Sequence, residues 1–104
     1  MKVIIWGCGD FGRRILPNLM TSEKYEVVAY TDNDERLWGT RISLIPIIAP
    51  KRILSETFDM LLIVVSSPSA AERIKVQTEQ LGISQDKVAN AFVDFRFMDL
   101  FIDQ

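Results

Sequence analysis

The feature that most constrains this fold is a glycine motif near the amino terminus, G-C-G-D-F-G at residues 7–12. An apolar run, Val3 to Trp6, precedes the motif, and apolar residues recur behind it at helical intervals, at Phe11, Ile15, Leu16 and Leu19. Strand, glycine turn and helix in this order form the pattern that a dinucleotide fingerprint requires. The motif therefore predicts a nucleotide site at the turn, and the alternative is a plain tight turn between a strand and a helix.

Each glycine of the motif has its own expected task. Gly7 permits the tight turn off the strand, Gly9 lets the main chain approach a pyrophosphate, and Gly12 lets the helix pack close to the strand. The free N–H groups and the dipole at the start of the helix favour the negative charge of the phosphates.

The other side chains of the motif are candidate cofactor contacts with competing interpretations. The carboxylate of Asp10 would compete with a phosphate at the helix start, whereas Arg13 or Arg14 would offset it by reaching the phosphate. Cys8 lies beside a helix N-terminus that would lower its pKa. Alternatively, Cys8 points into the strand–helix junction as a small apolar group. Phe11, inside the motif, is a further candidate contact.

Asp32 is the predicted partner of the adenosine ribose. It follows Gly12 by 20 positions, close to the expected spacing of about 20. A carboxylate there accepts hydrogen bonds from the ribose hydroxyls and repels a 2′-phosphate, so NAD is preferred over NADP. The alternative is an aspartate that forms a turn within T-D-N-D. Asn33 is a neighbouring candidate contact, and Asp34 is the rival acceptor.

Two arginines bear on the choice of cofactor, because Arg36 or Arg41 would weaken the preference for NAD. Trp38, between them, either stacks on an adenine or caps the edge of the sheet.

The alternation of apolar runs and helical segments predicts a three-layer, Rossmann-like α/β fold. We expect an open parallel sheet of about five strands in the order 3-2-1-4-5. The strands are expected near residues 3–6, 26–32, 46–49, 58–66 and 87–93. Pro17 should bend or shorten the first helix, which is expected to end near Thr21.

The serine turn after the fourth strand, Ser66 and Ser67, is expected to border the ligand, since loops at the carboxyl ends of parallel strands form the binding crevice. Its other interpretation is a helix cap, either a capping box of Ser69 with Glu72 or Ser67 before Pro68. The helix that follows is expected over 69–81, ended by Gly82.

The last residues are unusually apolar, with four of the six phenylalanines among the final 13 positions: Phe92, Phe95, Phe97 and Phe101. We divide the chain into a dinucleotide-binding domain, residues 1–93, and a C-terminal tail, residues 94–104. Because so much apolar surface is seldom left in water, the tail, with Leu100 and Ile102, should fold back on the sheet, pair with another copy, or contact a missing domain.

The composition limits the class of protein and the kinds of partner that this chain can have. A chain of 104 residues with 48% hydrophobic and 25% charged residues is typical of one soluble globular domain. The net charge of −2 gives no indication of a nucleic-acid partner. The single cysteine excludes an internal disulfide and suits a cytoplasmic protein. No apolar run is long enough for a membrane span.

The sequence contains no histidine, which removes the commonest general base near neutral pH and the commonest metal ligand. We therefore predict no catalytic residues and no metal site. Whether the chain belongs to an enzyme stays open. It is short for the two βαβαβ halves of a full dinucleotide-binding domain, and we expect no second domain in it to hold a substrate.

The chain resembles the small Rossmann-type nucleotide-binding modules of bacterial sugar-nucleotide and polysaccharide enzymes. These include CapD-type epimerase/dehydratases and the amino-terminal modules of sugar O-acyltransferases. The matching stretches are V-I-I-W-G-C-G-D-F-G-R-R-I-L at 3–16, Y-E-V-V-A-Y-T-D-N-D-E-R-L-W-G at 25–39, I-P-I-I-A-P at 45–50 and L-G-I-S-Q-D-K-V at 81–88. The resemblance implies binding of NAD or a nucleotide sugar, with Gly7, Gly9, Gly12 and Asp32 in the family positions.

These observations predict an NAD- or nucleotide-binding domain of sugar-nucleotide or polysaccharide biosynthesis, as part of a larger enzyme such as an NAD-dependent oxidoreductase, epimerase or dehydratase. The alternatives are a ligand-sensing regulatory domain that dimerises through the tail, and a module that binds a nucleotide sugar or coenzyme A.

Overall fold

The computed structural model describes residues 1–101, in which six strands form one mostly parallel sheet. The strands are β1 (Lys2–Trp6), β2 (Glu26–Thr31), β3 (Arg41–Ile42), β4 (Ile45–Ile48), β5 (Met60–Ile63) and β6 (Val88–Asn90). Their order across the sheet is β3-β4-β2-β1-β5-β6, and only the β3–β4 pair is antiparallel. The class of fold agrees with the α/β prediction.

The predicted strand count and order need one correction, which is β3. The five parallel strands lie in the order expected for them, but β3 adds an antiparallel edge strand that pairs Arg41 with Pro46 and Ile42 with Ile45. The turn that reverses the chain contains Ser43, with a φ of 55°. A strand of two residues is too short to produce a recognisable alternation of apolar and polar positions, so the sequence pattern did not reveal it.

The first helix is interrupted where Pro17 predicts it. It consists of α1 (Asp10–Arg14) and α2 (Leu16–Thr21), with Ile15 between them. Proline has no N–H to donate to the carbonyl of Arg13, and its ring crowds that turn, so the helix restarts with Pro17 in its first turn. The predicted break and the end near Thr21 are both confirmed.

The side chains of β1 alternate between two apolar faces, as a parallel strand covered on both sides requires. Val3 and Ile5 pack with α1, α2 and the C-terminal segment. Ile4 and Trp6 pack with the third helix, α3 (Pro68–Gln80), and with the residues after β4. Each of these four side chains is at most 1% exposed, and full burial of such a side chain stabilises the fold by about 1.5–3 kcal/mol.

The start and stop of α3 follow local rules. The Ser67 hydroxyl accepts a hydrogen bond from the N–H of Ala70 at 3.2 Å, so Ser67 is the N-cap and the proposed capping box of Ser69 with Glu72 is not formed. Gly82, with a φ of 84°, ends the helix as predicted, because glycine adopts the left-handed conformation without strain.

Short 3₁₀ turns complete the described chain, at Glu35–Leu37, Pro50–Ser55, Gln85–Lys87 and Phe95–Phe101. No helix within residues 1–101 combines the length and apolar character needed to cross a membrane.

The described part of the C-terminal tail folds back onto the face of the sheet covered by α1 and α2. Phe97 and Leu100 are buried there, and the side-chain amide of Asn18 donates to the carbonyl of Leu100 at 2.6 Å. Phe95, by contrast, is 82% exposed. Ile102, together with 103–104, lies outside the described residues, and the division into residues 1–93 and 94–104 stays a prediction.

Candidate functional site

Two of the three motif glycines are required by the packing of the turn itself. Gly7 has a φ of 130°, and a Cβ placed on it would lie 2.2 Å from the carbonyl oxygen of Val64. A Cβ on Gly12 would lie 1.8 Å from the carbonyl oxygen of Gly7, since the start of α1 sits directly against the end of β1. No side chain fits at either position without moving the main chain.

Gly9 is different, because a Cβ placed on it would meet no atom within 4 Å. Gly9 is exposed and adjoins a cavity of about 270 Å³ at the carboxyl edge of the sheet. The residues that line this cavity are Gly7, Gly9, Asp10, Phe11, Asp32, Val64, Val65 and Ser66. The structure therefore brings six of the predicted site residues to one opening.

The main chain presents donors at this opening. Within residues 1–101, the N–H groups of Gly9, Asp10 and Phe11 have no hydrogen-bond acceptor. The helix behind them, α1, has only five residues before the break, so these N–H groups, rather than the dipole of a long helix, supply the positive potential.

Asp32 connects the end of β2 to the glycine turn. One of its carboxylate oxygens accepts from the N–H of Cys8 and the other from the N–H of Asp34, both at 2.9 Å. The second bond forms an Asx turn, so Asp32 also has the turn-forming role that was its alternative interpretation. Because each carboxylate oxygen carries two lone pairs, both oxygens retain capacity for a further hydrogen bond, and Asp32 lines the cavity.

The Cys8 side chain lies in the strand–helix junction, with Sγ 3.7 Å from the carbonyl oxygen of Thr31. Burial, and then the charge of Asp32, raise the pKa of the thiol to about 12, while Arg13 acts weakly in the other direction. The interpretation of Cys8 as a small apolar group is confirmed, and the lowered pKa expected from the helix N-terminus is wrong. Desolvation outweighs the partial charge of a five-residue helix.

The two arginines after the motif have different positions. The Nε of Arg13 donates to the carbonyl of Cys8 at 2.8 Å, which places the guanidinium on the turn. Arg14 lies over the ring of Phe11, 5.3 Å from its centroid. Of the two, only Arg13 is held against the turn.

The side chains of Asn33 and Ser67 make hydrogen bonds to other residues of the protein. Asn33 and Gln77 exchange two amide hydrogen bonds, at 3.1 and 2.9 Å, which tie the loop after β2 to α3. Ser67 caps α3. Ser66 is the member of the serine turn that lines the cavity.

One supporting residue was missed by the sequence analysis. The buried hydroxyl of Tyr30 donates to the carbonyl of Gly12 at 2.6 Å and so fixes the start of α1 against β2. Burial, with a smaller effect of Cys8, raises the pKa of Tyr30. A tyrosine inside an otherwise apolar strand is a usable signal, since a buried phenol needs a polar partner.

Solved structures share this architecture. UDP-D-quinovosamine 4-dehydrogenase from Vibrio fischeri matches with a TM-score of 0.67 and 22% identity, covering 91% of this chain and 84% of that one. RSP, a Rex-family repressor, matches with a TM-score of 0.61 and 22% identity, covering 79% of this chain and 41% of that one. RSP in complex with β-NADH matches with a TM-score of 0.60, again at 22% identity, covering 79% of this chain and 42% of that one.

At these identities the likeness shows the fold, which is Rossmann-like, and the chain spans less than half of those two repressor chains. Among curated proteins, none matches this sequence significantly. A family model described as C2185-like, N-terminal, matches residues 1–89, and the chain belongs to that family.

Proposed function

We propose that this domain binds a nicotinamide dinucleotide at the glycine turn, with NAD preferred over NADP. The observation that carries the proposal is the contrast among the three glycines. The fold itself requires Gly7 and Gly12, whereas Gly9 has open space beside it. A glycine that no contact within residues 1–101 demands is explained by a ligand that approaches the main chain there.

The pyrophosphate would be held by the N–H groups of Gly9, Asp10 and Phe11. Within residues 1–101 Arg13 uses only its Nε, so its terminal nitrogens remain for a phosphate oxygen. The exposed carboxylate of Asp10 opposes the phosphates and would turn toward solvent. Asp32, already oriented by two N–H groups, would accept from the ribose hydroxyls.

The preference for NAD rests on charge. Asp32 would repel a 2′-phosphate, and Arg36 is held by the carboxylate of Asp34 through two bonds of 2.9 Å. The hydrogen bond from Arg36 lowers the pKa of Asp34, so this acceptor stays ionised. Arg36 is thereby directed to Asp34 rather than to the ribose of a ligand.

The structural neighbours support this proposal, since one is named as a sugar-nucleotide dehydrogenase and another is bound to β-NADH. Bound NAD would supply a hydride acceptor, and the chain's own residues would bind and orient it. The buried, protonated thiol of Cys8 offers no nucleophile at the turn. We propose that the domain serves a larger enzyme of sugar-nucleotide or polysaccharide biosynthesis, with CapD-type enzymes as the model. Cytoplasmic location stays a prediction.

The decisive experiment is calorimetric titration of the full chain with NAD, NADH, NADP, a UDP-sugar and coenzyme A. We expect NAD or NADH to bind more tightly than the others. Gly9→Ala should weaken NAD binding at least tenfold without lowering the melting temperature, because the added methyl contacts only the ligand. Ser84→Ala, at another exposed position, is the control. Equal NAD affinity in the two variants would refute the proposal, and tighter UDP-sugar binding would favour the nucleotide-sugar alternative.

A second candidate, a ligand-sensing domain that dimerises, is favoured by one set of contacts. The rings of Phe11 and Phe92 lie edge to face with their centroids 5.1 Å apart, and Phe92 stacks on Phe101 at 4.5 Å, so Phe92 connects the glycine turn to the C-terminal tail. Exposed Phe95 lies in the same segment. Light scattering with and without NADH tests this candidate, and a molar mass independent of both ligand and concentration would reject it.

A further inference from the structure

A second cavity lies at the β3–β4 edge of the sheet and is not part of the glycine turn. We call it the Trp38 cavity; it is lined by residues 38–41 and 46–49 together with Arg52 and Glu56. Its volume is about 530 Å³, within the range of roughly 300–1,000 Å³ that is usual for small-molecule sites. The unpredicted strand β3 contributes Arg41 to its wall.

The arginines of the chain divide into two groups. Four of the seven contact another group within the described residues: Arg13, Arg14, Arg36 and Arg96. Within residues 1–101, the side chains of Arg41, Arg52 and Arg73 make no hydrogen bond, ion pair or ring contact. Two of these three line the Trp38 cavity. In a chain with a net charge of −2, two guanidinium groups without an ion-pair partner give the lining of this cavity an excess of positive charge, which favours an anion.

The wall that carries Trp38 is held by hydrogen bonds to the neighbouring chain. The indole Nε1 donates to the carbonyl oxygen of Asp32 at 2.7 Å, which fixes the position of the ring. The following residues are bound to β4, with Gly39 N–H donating to Ile47 and Ile47 N–H donating to Thr40, both at 2.9 Å. A held aromatic ring loses little conformational entropy when a ligand stacks on it.

Glu56 is the one acidic residue in the lining, so the side chains of the cavity carry a net charge of +1. Its carboxylate does not pair with either arginine within 4.0 Å. It is a hydrogen-bond acceptor for hydroxyl or amino groups of a ligand, while the arginines are donors for its anionic part.

We propose that the Trp38 cavity is a second ligand site that binds a nucleoside monophosphate, with the base on Trp38 and the phosphate between Arg41 and Arg52. Any nucleobase can stack on an aromatic ring, because every base has a π-face. Arginine pairs with phosphate through two parallel hydrogen bonds. The adenosine of NAD, whose 5′-phosphate would lie at the glycine turn, carries no 2′-phosphate for Arg41 or Arg52 to bind, so NAD at the glycine turn does not account for this cavity. The proposal therefore stands independently of the proposed function.

The chain contains its own reporter for the test. It has two tryptophans, and Trp6 is 1% exposed whereas Trp38 is 36% exposed, so added ligands quench chiefly Trp38 fluorescence. The titration uses the Gly9→Ala variant, which limits binding at the glycine turn. The probes are UMP, uridine and inorganic phosphate. We expect saturable quenching by UMP, with uridine and phosphate each binding at least tenfold more weakly.

The variants Arg41→Gln and Arg52→Gln should each lower UMP affinity about tenfold. Arg73→Gln removes an arginine of α3 that also has no ion-pair partner within residues 1–101, and it should leave UMP affinity unchanged. All three positions are exposed, and circular dichroism would verify that the fold is retained. The proposal is overturned if UMP gives no saturable quenching, if phosphate binds as tightly as UMP, or if Arg41→Gln and Arg52→Gln behave like Arg73→Gln. The Arg41→Gln and Arg52→Gln variants locate the binding in the Trp38 cavity, so failure of this proposal is distinguished from failure of NAD binding at the glycine turn.

Discussion

The carboxylate of Asp32 accepts a hydrogen bond from the main-chain N–H of Cys8, with 2.9 Å between Oδ2 and the nitrogen. This contact joins the carboxyl end of β2 to the glycine turn, across 24 positions of sequence. It places the predicted ribose acceptor at the rim of the cavity that the motif glycines border. The position of Asp32 is therefore set by the turn as well as by its own strand.

Asp32→Asn should weaken NAD binding by about tenfold, because hydrogen bonds to a charged acceptor contribute about 1.5–3 kcal/mol. It should also reduce the preference for NAD over NADP, because the neutral side chain no longer repels a 2′-phosphate. Asparagine also retains a single acceptor oxygen for the two N–H groups that Asp32 serves. Calorimetric titration measures both affinities. Asp34→Asn, which weakens the hydrogen bonds between Asp34 and Arg36, is the control for NAD affinity alone and should bind NAD as the unmodified protein does.

Gly12→Ala should destabilise the fold by about 3 kcal/mol or prevent folding, because its Cβ would overlap main-chain atoms that cannot move independently. Gly9→Ala should leave the free energy of unfolding unchanged or raise it by about 0.4–1 kcal/mol, through the loss of chain freedom in the unfolded state. Urea denaturation compares the two. Similar losses of stability in both variants would contradict the proposed division of roles among the glycines.

The free energy of unfolding should fall as the pH rises from about 9 to about 12. The pKa of Cys8 is raised from 9.0 to about 12 in the folded protein, so the unfolded chain loses this proton first and gains stability relative to the fold. Each such group contributes at most about 1.4 kcal/mol per pH unit in this window. Tyr30, whose pKa burial also raises, acts in the same direction at higher pH.

Cys8→Ala should make this alkaline decline shallower, as measured by urea denaturation at several pH values. The native thiol should also react with iodoacetamide at pH 8 about 100- to 1,000-fold more slowly than in urea, because its thiolate fraction falls with the raised pKa. Equal rates in the folded and unfolded protein would show that Cys8 is accessible.

Phe97→Ala should cost about 3–5 kcal/mol, since Phe97 is 2% exposed in the core formed with α1 and α2. Phe95→Ala, at a phenylalanine that is 82% exposed, should leave thermal stability almost unchanged and is the matched control. If Phe97→Ala were neutral, the C-terminal tail would not belong to the folded core. If Phe95→Ala altered the molar mass in solution, Phe95 would lie in an interface between copies.

Several elements could be predicted because a single residue constrains the backbone locally. Pro17 has no N–H and breaks the helix, and Gly82 adopts the left-handed conformation that ends α3. By contrast, the local sequence allows either Ser67 or Ser69 to be the N-cap of α3, and only the structure shows that Ser67 is the cap. The pair of Asn33 with Gln77 spans 44 positions and has no local signal at all.

The amino-acid sequence by itself determined the glycine turn, the breaks of the helices and the succession of five parallel strands along the chain, because apolar periodicity and the special backbones of glycine and proline act within a few residues. Only the tertiary structure decided that Cys8 is buried and protonated, that Gly9 has open space beside it, and that Arg41 and Arg52 share one cavity with Trp38. These properties depend on desolvation and on contacts between residues distant in the chain, which arise when the layers pack.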